Sequence, residues 1–284
     1  MKKITILGFG VMGKQMASLF YALGYRVHVF SKSSINQSLS IKRTIKLFQR
    51  KLNLSKIGNI TFLDDLSEVP NSVVIETISE SLTEKIELYN KINPLTIKEY
   101  CANASSYKHS DIGAFVVGGH FFNPIYIIHI IEVCTPITFE FSQDFQSLIN
   151  DLKAVIFTKI NVTNTLGYYG NLFFFFHISR LFNLVENHEA SIHDIDKMYQ
   201  SIYDYSIVKT IGIIGIDLCQ AIMNNIAEEF NYLQVPKAFQ NMINHGILRK
   251  KTSISIGDLF LKKMDKCFFK LSNQFFYLIQ YNRN

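Results

Sequence analysis

Short runs of consecutive apolar residues, separated by glycine turns and helical patterns, fill the first part of the chain. The run KITILG at 3–8 has aliphatic and β-branched residues without polar alternation, which predicts a buried strand. Apolar residues then recur at helical spacing over 11–23, and a second strand is predicted at Arg26–Phe30 after a turn at Gly24. Strand, glycine turn, helix and strand predict a βαβ unit.

The same alternation continues and then stops. Further strands are predicted at 72–76, 100–102, 115–118, 127–133 and 153–163, with a helix at 82–90. Beyond about residue 167 only helical periodicity remains, at 171–187, 191–204 and 215–231. These patterns predict an α/β protein, with an N-terminal Rossmann-type doubly wound sheet in residues 1–165 and an all-α C-terminal domain in 166–284.

Composition adds limits to this picture. The chain has 284 residues, which suits two domains, and a formal net charge of +6. The positive charge has two explanations, scattered surface lysines or a basic cleft for phosphate-rich ligands. No nucleic-acid-binding motif accompanies it, so no nucleic-acid partner is expected. The densest basic stretch, which suits one helix face, is Lys42, Arg43, Lys46, Arg50 and Lys51.

Neither metal binding nor a membrane location is expected. The four cysteines form no CxxC pair, which argues against a zinc site, and no secretory signal points to a disulfide framework. The most apolar later run, 172–176, is far shorter than the ~20 residues that cross a bilayer. We therefore expect a cytoplasmic protein.

A glycine motif lies where the first strand meets the first helix. Its GxGxxG spacing predicts a dinucleotide site: the first glycine allows a tight turn, the second the close approach of a pyrophosphate, and the third the packing of helix on strand. The helix N-terminus supplies free N–H groups for the phosphates. The predicted cofactor-binding residues are Gly8, Gly10, Val11, Met12 and Gly13.

The end of the second strand bears on the choice of cofactor. NAD-binding proteins generally place Asp or Glu there to bond the ribose 2′-hydroxyl, but this chain has Ser31, Lys32 and Ser33. These residues could bind a 2′-phosphate, which favours NADP slightly and leaves NAD open.

A histidine and a glutamate flank a turn at Asn123-Pro124. Such a turn would return a strand beside the preceding one and bring His120 and Glu132 together. An imidazole held by a carboxylate is suited to general acid–base catalysis on an alcohol. The alternative is a histidine that is merely part of the core.

Several motifs, in order, resemble the L-3-hydroxyacyl-CoA dehydrogenase family, including 3-hydroxybutyryl-CoA dehydrogenases. The motifs, which cover most of the chain, are ITILGFGVMGKQMA, VIETISESLTEKIELY, CANASSY, GHFFNP with the later IIEV, LGYYGN (similar to the family's PGFIVNR) and ASIHDID. The resemblance implies a hydride transfer between a nicotinamide cofactor and C3 of a 3-hydroxyacyl or 3-oxoacyl thioester.

The resemblance also implies roles for individual residues. His120 would be the base that takes the 3-hydroxyl proton, and Glu132 would fix its tautomer. Ser105, Asn123 and Asn171 match the polar residues that orient the substrate oxygen and the histidine.

Glu80 and Lys85 match a Glu and a Lys of the cofactor site, although they would equally form a surface pair on a helix. Similarly, Asn123 would suit a turn and Asn171 a helix cap.

Other segments depart from the family pattern. The stretch between Ser105 and His120 is shorter than expected, which predicts a truncated helix. In the second half, SIVKTIGIIGID lacks the family's Gly-Pro, Leu172 replaces an Arg, and HGILRKKTSIS at 245–255 has lost glycines.

These departures keep other functions open. One is specialisation for an acyl carrier protein instead of CoA. Others are an NADP-dependent dehydrogenase of a non-CoA hydroxy acid and a catalytically inactive nucleotide-binding member. The expected partners are an acyl-CoA or acyl-carrier-protein substrate and, as the resemblance implies, a second copy in a homodimer.

Overall fold

The computed structural model describes residues 1–32, 38–92, 99–113, 116–135 and 140–244. It contains two compact units, Met1–Tyr169 and a second that begins at Gly170. Four parts of the predictions made above lie outside the described residues: Ser33, the first residue (Phe115) of the predicted strand 115–118, Cys267 among the four cysteines, and the stretch 245–255.

The first unit is built on an eight-stranded sheet in the order β3-β2-β1-β4-β5-β6-β7-β8. The first six strands are parallel, β7 runs antiparallel to β6, and β8 runs parallel to β7. The strands are β1 (Lys3–Leu7), β2 (Arg26–Phe30), β3 (Asn59–Leu63), β4 (Val73–Glu76), β5 (Glu99–Ala102), β6 (Val116–Phe121), β7 (Ile130–Cys134) and β8 (Thr158–Asn161).

Burial explains why these segments are strands. All residues of β4 and β6 are buried, as are four of the five in β1, because helices cover both faces of the parallel sheet centre. The helices of this unit are α1 (Val11–Ala22), α2 (Ser38–Lys51), α3 (Leu82–Lys91), α4 (His109–Ile112) and α5 (Gln143–Ala154). The short α4 is the truncated helix that the sequence predicts between Ser105 and His120.

Two details of the predicted elements are wrong. The segment 153–163 is not one strand: Lys153 and Ala154 end α5, and only Thr158–Asn161 is extended. The edge strand β3 was not predicted, because Asn59–Leu63 has no buried residue and so lacks a continuous apolar run.

The second unit is helical. It contains most of α6 (Tyr168–Glu186), then α7 (Ile192–Tyr203), α8 (Ile207–Ile214), α9 (Ile216–Glu229) and α10 (Lys237–Asn244). Ser191 caps α7 by accepting a hydrogen bond from the Asp194 N–H at 3.1 Å. The buried Asp196 accepts bonds from the Ser206 hydroxyl and the Val208 N–H, which fixes the start of α8.

The aromatic run at the start of α6 divides between core and surface. Phe175 is buried in the helical core, whereas the side chain of Phe173 is 70% exposed. Among the described residues no single helix is long and apolar enough to cross a membrane. The pair α8 and α9 together meets that test of length and composition, with a 91° bend between them.

Candidate active site

His120 and Glu132 face each other across two antiparallel strands. The register of β6 and β7 pairs them directly, and His120 Nδ1 lies 2.8 Å from Glu132 Oε2. Both residues are buried, with 4% and 3% exposure. The turn at Asn123-Pro124 thus returns the chain as the sequence predicts.

The contact determines which imidazole nitrogen is available. An ionised carboxylate only accepts hydrogen bonds, so Nδ1 carries a proton and donates it to Glu132. In the neutral imidazole, Nε2 therefore holds the lone pair. The pair can take a proton at Nε2, and Glu132 then stabilises the resulting imidazolium.

Two aromatic rings hold the imidazole in place. The Tyr168 ring stacks on it, with centroids 5.1 Å apart and an interplanar angle of 23°, and the Phe122 ring is tilted against it at 4.7 Å. Tyr168 itself is only 2% exposed. Gly118 makes room for it, since a Cβ at that position would overlap the tyrosine hydroxyl.

The Tyr168 hydroxyl is buried without a hydrogen-bond partner among the described residues. In the family's PGFIVNR pattern this position is phenylalanine. Leaving a buried hydroxyl unsatisfied costs ~1–3 kcal/mol. We therefore expect Tyr168→Phe to raise the free energy of unfolding by up to about that amount, as measured by urea denaturation.

The control for that substitution is Tyr169→Phe, because the Tyr169 hydroxyl contacts the Thr163 side chain. It should not raise stability. An equal loss of stability in both variants would show that the Tyr168 hydroxyl has a partner.

Glu80 organises the loop that carries Ser105. Its Oε1 accepts hydrogen bonds from the Ser105 N–H at 2.7 Å, the Ser106 N–H at 2.8 Å and the Ser106 hydroxyl at 3.0 Å. Nearby, the Asn103 side chain accepts from the Phe121 N–H at 2.9 Å and so ties the end of β5 to the end of β6. Ser105 is half-buried, and its loop is held by a charged group.

Lys85 is fully buried and pairs with Glu76. Its Nζ lies 2.8 Å from both carboxylate oxygens of Glu76, which is also fully buried, and 4.0 Å from Glu80. Burial raises the pKa of the Glu76 carboxyl, and the neighbouring ammonium opposes that shift. The alternative of a Glu80–Lys85 surface pair on a helix is therefore wrong, because α3 begins at Leu82 and Lys85 points inward.

Asn123 contacts the first helix. Its Oδ1 accepts a hydrogen bond from Gln15 Nε2 at 2.9 Å, and Gln15 Oε1 accepts one from the Ile125 N–H at 2.8 Å. Gln15 is 7% exposed and lies on α1, two positions after Gly13. Asn123 is therefore more than a turn residue.

The glycine motif has the geometry that the spacing predicts. Gly8 has a φ of +99°, in the region that favours glycine, and its N–H donates to the Phe30 carbonyl at 2.8 Å. A Cβ on Gly13 would overlap the Gly8 carbonyl oxygen, so this residue allows α1 to pack against β1. A Cβ on Gly10 would meet no atom within 4 Å among the described residues, so open space lies beside it. Val11 and Met12 form the first turn of α1.

Acidic residues stand close to the end of β2. Ser31 and the exposed Lys32 follow β2, and the β2–β3 register pairs Phe30 with Leu63. Asp64, which follows Leu63, therefore stands beside Ser31 at the same edge of the sheet. Asp65 comes next and caps a short 3-10 turn at Leu66–Glu68.

Asn171 lies inside α6, as its fourth residue, and so does not cap that helix. It belongs to the second unit, whereas the other predicted site residues belong to the first.

Sequence reasoning missed four residues around this site. Gln15, Glu76 and Asn103 are polar and buried, and Tyr168 packs on the histidine. All four lie inside motifs that resemble the family, which is the signal that could have found them, and Tyr168 also departs from the family's phenylalanine.

Two family models match this chain. Residues 3–140 match the family model described as "3-hydroxyacyl-CoA dehydrogenase, NAD binding domain", and residues 167–258 match "3-hydroxyacyl-CoA dehydrogenase, C-terminal domain". The 3-hydroxybutyryl-CoA dehydrogenase of Mycobacterium tuberculosis is 23% identical over 279 residues, which cover 88% of this chain and 96% of that protein. The human mitochondrial hydroxyacyl-coenzyme A dehydrogenase is 26% identical over 251 residues, covering 78% of this chain and 79% of the relative.

Solved structures show the same fold. The crystal structure of FadB2 from M. tuberculosis has a TM-score of 0.74 at 20% identity, with 88% of this chain and 96% of that chain covered. The (S)-3-hydroxybutyryl-CoA dehydrogenase PaaH1 from Ralstonia eutropha has a TM-score of 0.73 at 18% identity, with the same coverage. Since the two family models cover both halves of the sequence, and the motifs follow one another in the expected order, this chain belongs to the 3-hydroxyacyl-CoA dehydrogenase family.

Proposed function

We propose that this protein is a nicotinamide-dependent oxidoreductase that interconverts a 3-hydroxyacyl-CoA and a 3-oxoacyl-CoA. The observation that carries the proposal is the buried His120–Glu132 pair, placed by strand register in a chain of this family. Similarity to dehydrogenases whose names specify acyl-CoA substrates supports CoA as the carrier, in preference to an acyl carrier protein.

His120 moves the proton of the reaction. With Nδ1–H bonded to Glu132, Nε2 removes the proton of the 3-hydroxyl in the oxidative direction. In the reductive direction the imidazolium returns that proton to the developing alkoxide. Glu132 stabilises the imidazolium in both directions.

Three polar residues would orient the substrate oxygen and the histidine, as the family resemblance implies. They are Ser105, on the loop held by Glu80, Asn123, held by Gln15, and Asn171 on α6. Hydrogen-bond donors preorganised around a developing oxyanion contribute a large share of such catalysis.

The glycine motif fits a dinucleotide. No side chain caps the N-terminus of α1, and the open space beside Gly10 lets a pyrophosphate approach the backbone N–H groups of Val11 and Met12. When bound, the cofactor accepts or supplies the hydride at the substrate's C3.

Two glycine substitutions should separate cofactor binding from folding. Gly10→Ala adds a methyl group to open space, so we expect unchanged thermal stability and a loss of NADH affinity of about 10-fold or more. Gly13→Ala forces α1 away from β1 and should lower stability by ~1–3 kcal/mol. Thermal melts and calorimetric titration with NADH measure both. A Gly10→Ala variant that binds NADH normally would contradict this placement of the cofactor.

We propose NAD as the cofactor, although Ser31 and Lys32 in place of an acidic residue had favoured NADP. Asp64 and Asp65 follow β3, which pairs with β2, and bring two negative charges to the edge of the sheet where β2 ends. They oppose a 2′-phosphate by repulsion. The description of the matching family model as an NAD binding domain supports the same choice.

The preference can be tested with one substitution. The wild-type protein should show a higher kcat/KM with NADH than with NADPH. Because Asp64→Asn removes one repelling charge, it should raise the NADPH to NADH ratio by about 2- to 10-fold. Glu140→Gln, which removes an exposed charge from another part of the chain, is the control. A wild-type preference for NADPH would refute the proposal.

The proposed function is tested by following the absorbance of reduced cofactor with acetoacetyl-CoA as substrate, using NADH and NADPH separately. We expect substrate-dependent oxidation of NADH. Turnover of a free hydroxy acid but not of the thioester would favour the non-CoA alternative. Cofactor binding without any turnover would favour an inactive member of the family.

We also propose that the protein forms a homodimer through its helical unit. Large apolar side chains are exposed there, including Phe173 at 70% and Tyr232 at 68%. Analytical ultracentrifugation should therefore give a dimer mass.

A further inference from the structure

Gln15 joins the cofactor helix to the loop that follows the histidine strand. It lies on α1 and is 7% exposed, and both the nitrogen and the oxygen of its side-chain amide form hydrogen bonds. Nε2 donates to Asn123 Oδ1 at 2.9 Å, and Oε1 accepts from the Ile125 N–H at 2.8 Å. A longer contact of 3.5 Å runs from Nε2 to the Val11 carbonyl. An amide of this length on α1, two positions after Gly13, makes both bonds at once.

The backbone of Ile125 fixes the orientation of both amides. A backbone N–H can only donate, so the group of Gln15 that faces Ile125 is the oxygen. The nitrogen of Gln15 then faces Asn123, and Asn123 has to present its own oxygen. Its Nδ2 group, the donor end of the amide, is consequently turned away from Gln15.

We infer that Gln15 is a positioning residue that fixes Asn123 as a hydrogen-bond donor to the substrate oxygen. The inference rests on the proposed function, in which Asn123 orients that oxygen. Gln15 itself does not contact substrate; it acts through Asn123. Because it stands on the helix whose N-terminus binds the cofactor, it also links the position of that helix to the position of the donor.

The reaction needs a donor at this point. When a hydride reaches C3 of a 3-oxoacyl thioester, the C3–O double bond becomes a single bond and the oxygen gains negative charge. An N–H group stabilises that charge until His120 supplies the proton, whereas an amide oxygen in the same place would repel it. The orientation of the Asn123 amide therefore decides whether this residue stabilises or destabilises the negative charge on the substrate oxygen.

Two substitutions of similar size separate positioning from packing. Gln15→Met fills the space without hydrogen bonds. Gln15→Glu replaces the amide with a carboxyl group of the same length, whose protonated form can both accept from the Ile125 N–H and donate to Asn123 Oδ1. Its ionised form only accepts, so it pulls Nδ2 of Asn123 toward itself. Ser18→Ala, another buried polar position on α1, is the control and should leave activity unchanged.

The readout is kcat/KM for acetoacetyl-CoA as a function of pH, with NADH affinity measured separately. Gln15→Met should lose about 10-fold or more at every pH, relative to wild type at the same pH, with unchanged NADH affinity. Gln15→Glu should approach the wild-type value at low pH and lose ~10²-fold as the pH rises through the pKa of the buried carboxyl. Equal activity of Gln15→Met and wild type would overturn the inference, as would a Gln15→Glu defect that does not depend on pH.

A measurement without turnover separates this inference from the proposed function. In ¹⁵N NMR spectra the Gln15 side-chain amide resonances, assigned by their loss in Gln15→Met, should exchange slowly with solvent. Asn123→Leu should speed that exchange by about 10-fold or more, because it removes the acceptor. If the wild-type protein is inactive but Asn123→Leu speeds the exchange as expected, the proposed function fails, whereas the Gln15–Asn123 hydrogen bond is supported. If exchange is fast in the wild type, the inference fails whatever the activity.

Discussion

His120→Gln should lower kcat by about 10²–10⁴-fold while the protein remains folded and binds NADH. The loss follows because Nε2 of His120 moves the 3-hydroxyl proton, and general acid–base catalysis contributes a factor of that size. Glutamine is chosen because its amide can still donate to Glu132, so the buried carboxylate keeps a partner. Steady-state kinetics with acetoacetyl-CoA measure the effect.

Glu132→Gln is the companion variant. Its amide oxygen can still accept from Nδ1, so the tautomer of His120 is kept, but the charge that stabilises the imidazolium is gone. We expect a smaller loss in kcat than for His120→Gln. If His120→Gln keeps its activity within a few-fold of wild type, the histidine is not the base and the mechanism is wrong.

Lys85→Met should lower the free energy of unfolding by ~3–5 kcal/mol. It removes one partner of a fully buried ion pair and leaves the Glu76 carboxylate without its cation. Burial already raises the pKa of Glu76, and loss of Lys85 would raise it further. When the pKa of a carboxyl is higher in the folded than in the unfolded state, the free energy of unfolding falls as the pH rises above the unfolded pKa. The stability lost in Lys85→Met should therefore grow between acid and neutral pH.

Two further variants test the cause of that effect. In Glu76→Gln/Lys85→Met no charge is left buried, so much of the lost stability should return. Lys2→Met removes an ion pair with Asp151 whose side chains are 48% and 31% exposed, and should cost at most about 1 kcal/mol. If the double variant is stable but binds NADH poorly, Lys85 contributes to the cofactor site as the family resemblance implies.

The parts of the site that the sequence predicts are those governed by short-range chain geometry. A turn at Asn123-Pro124 places His120 and Glu132 on adjacent antiparallel strands, and strand pairing then sets their contact. The glycine motif is similarly local, since its three positions serve one turn and one helix start. Such features follow from spacing along the chain.

The parts that it does not predict depend on distant segments. Gln15 and Asn123 are 108 positions apart, and nothing in either neighbourhood indicates the other. Lys85 resembles a surface lysine on a helix until the sheet places Glu76 beneath it. A polar residue that is buried by tertiary packing has no pattern of its own in the sequence.

The fold shows the same division. Buried strands such as β1 and β4 are apolar runs and were predicted, whereas the exposed edge strand β3 was not. The helices α5, α8 and α10 were not predicted either; α8 and α10 have only eight residues each, which carry little periodicity. In the divergent segment SIVKTIGIIGID, Gly215 has a φ of +101° and ends α8, while Asp217 stands in the first turn of α9.

The fate of a labelled hydride shows directly whether the protein reduces C3 of a 3-oxoacyl-CoA. The protein is incubated with acetoacetyl-CoA and NADH that carries deuterium at C4 of the nicotinamide ring, prepared separately with each stereochemistry, and the product is examined by mass spectrometry. We expect 3-hydroxybutyryl-CoA with one deuterium bound at C3, formed with one of the two labelled cofactors. Formation of no labelled thioester with either cofactor would contradict it.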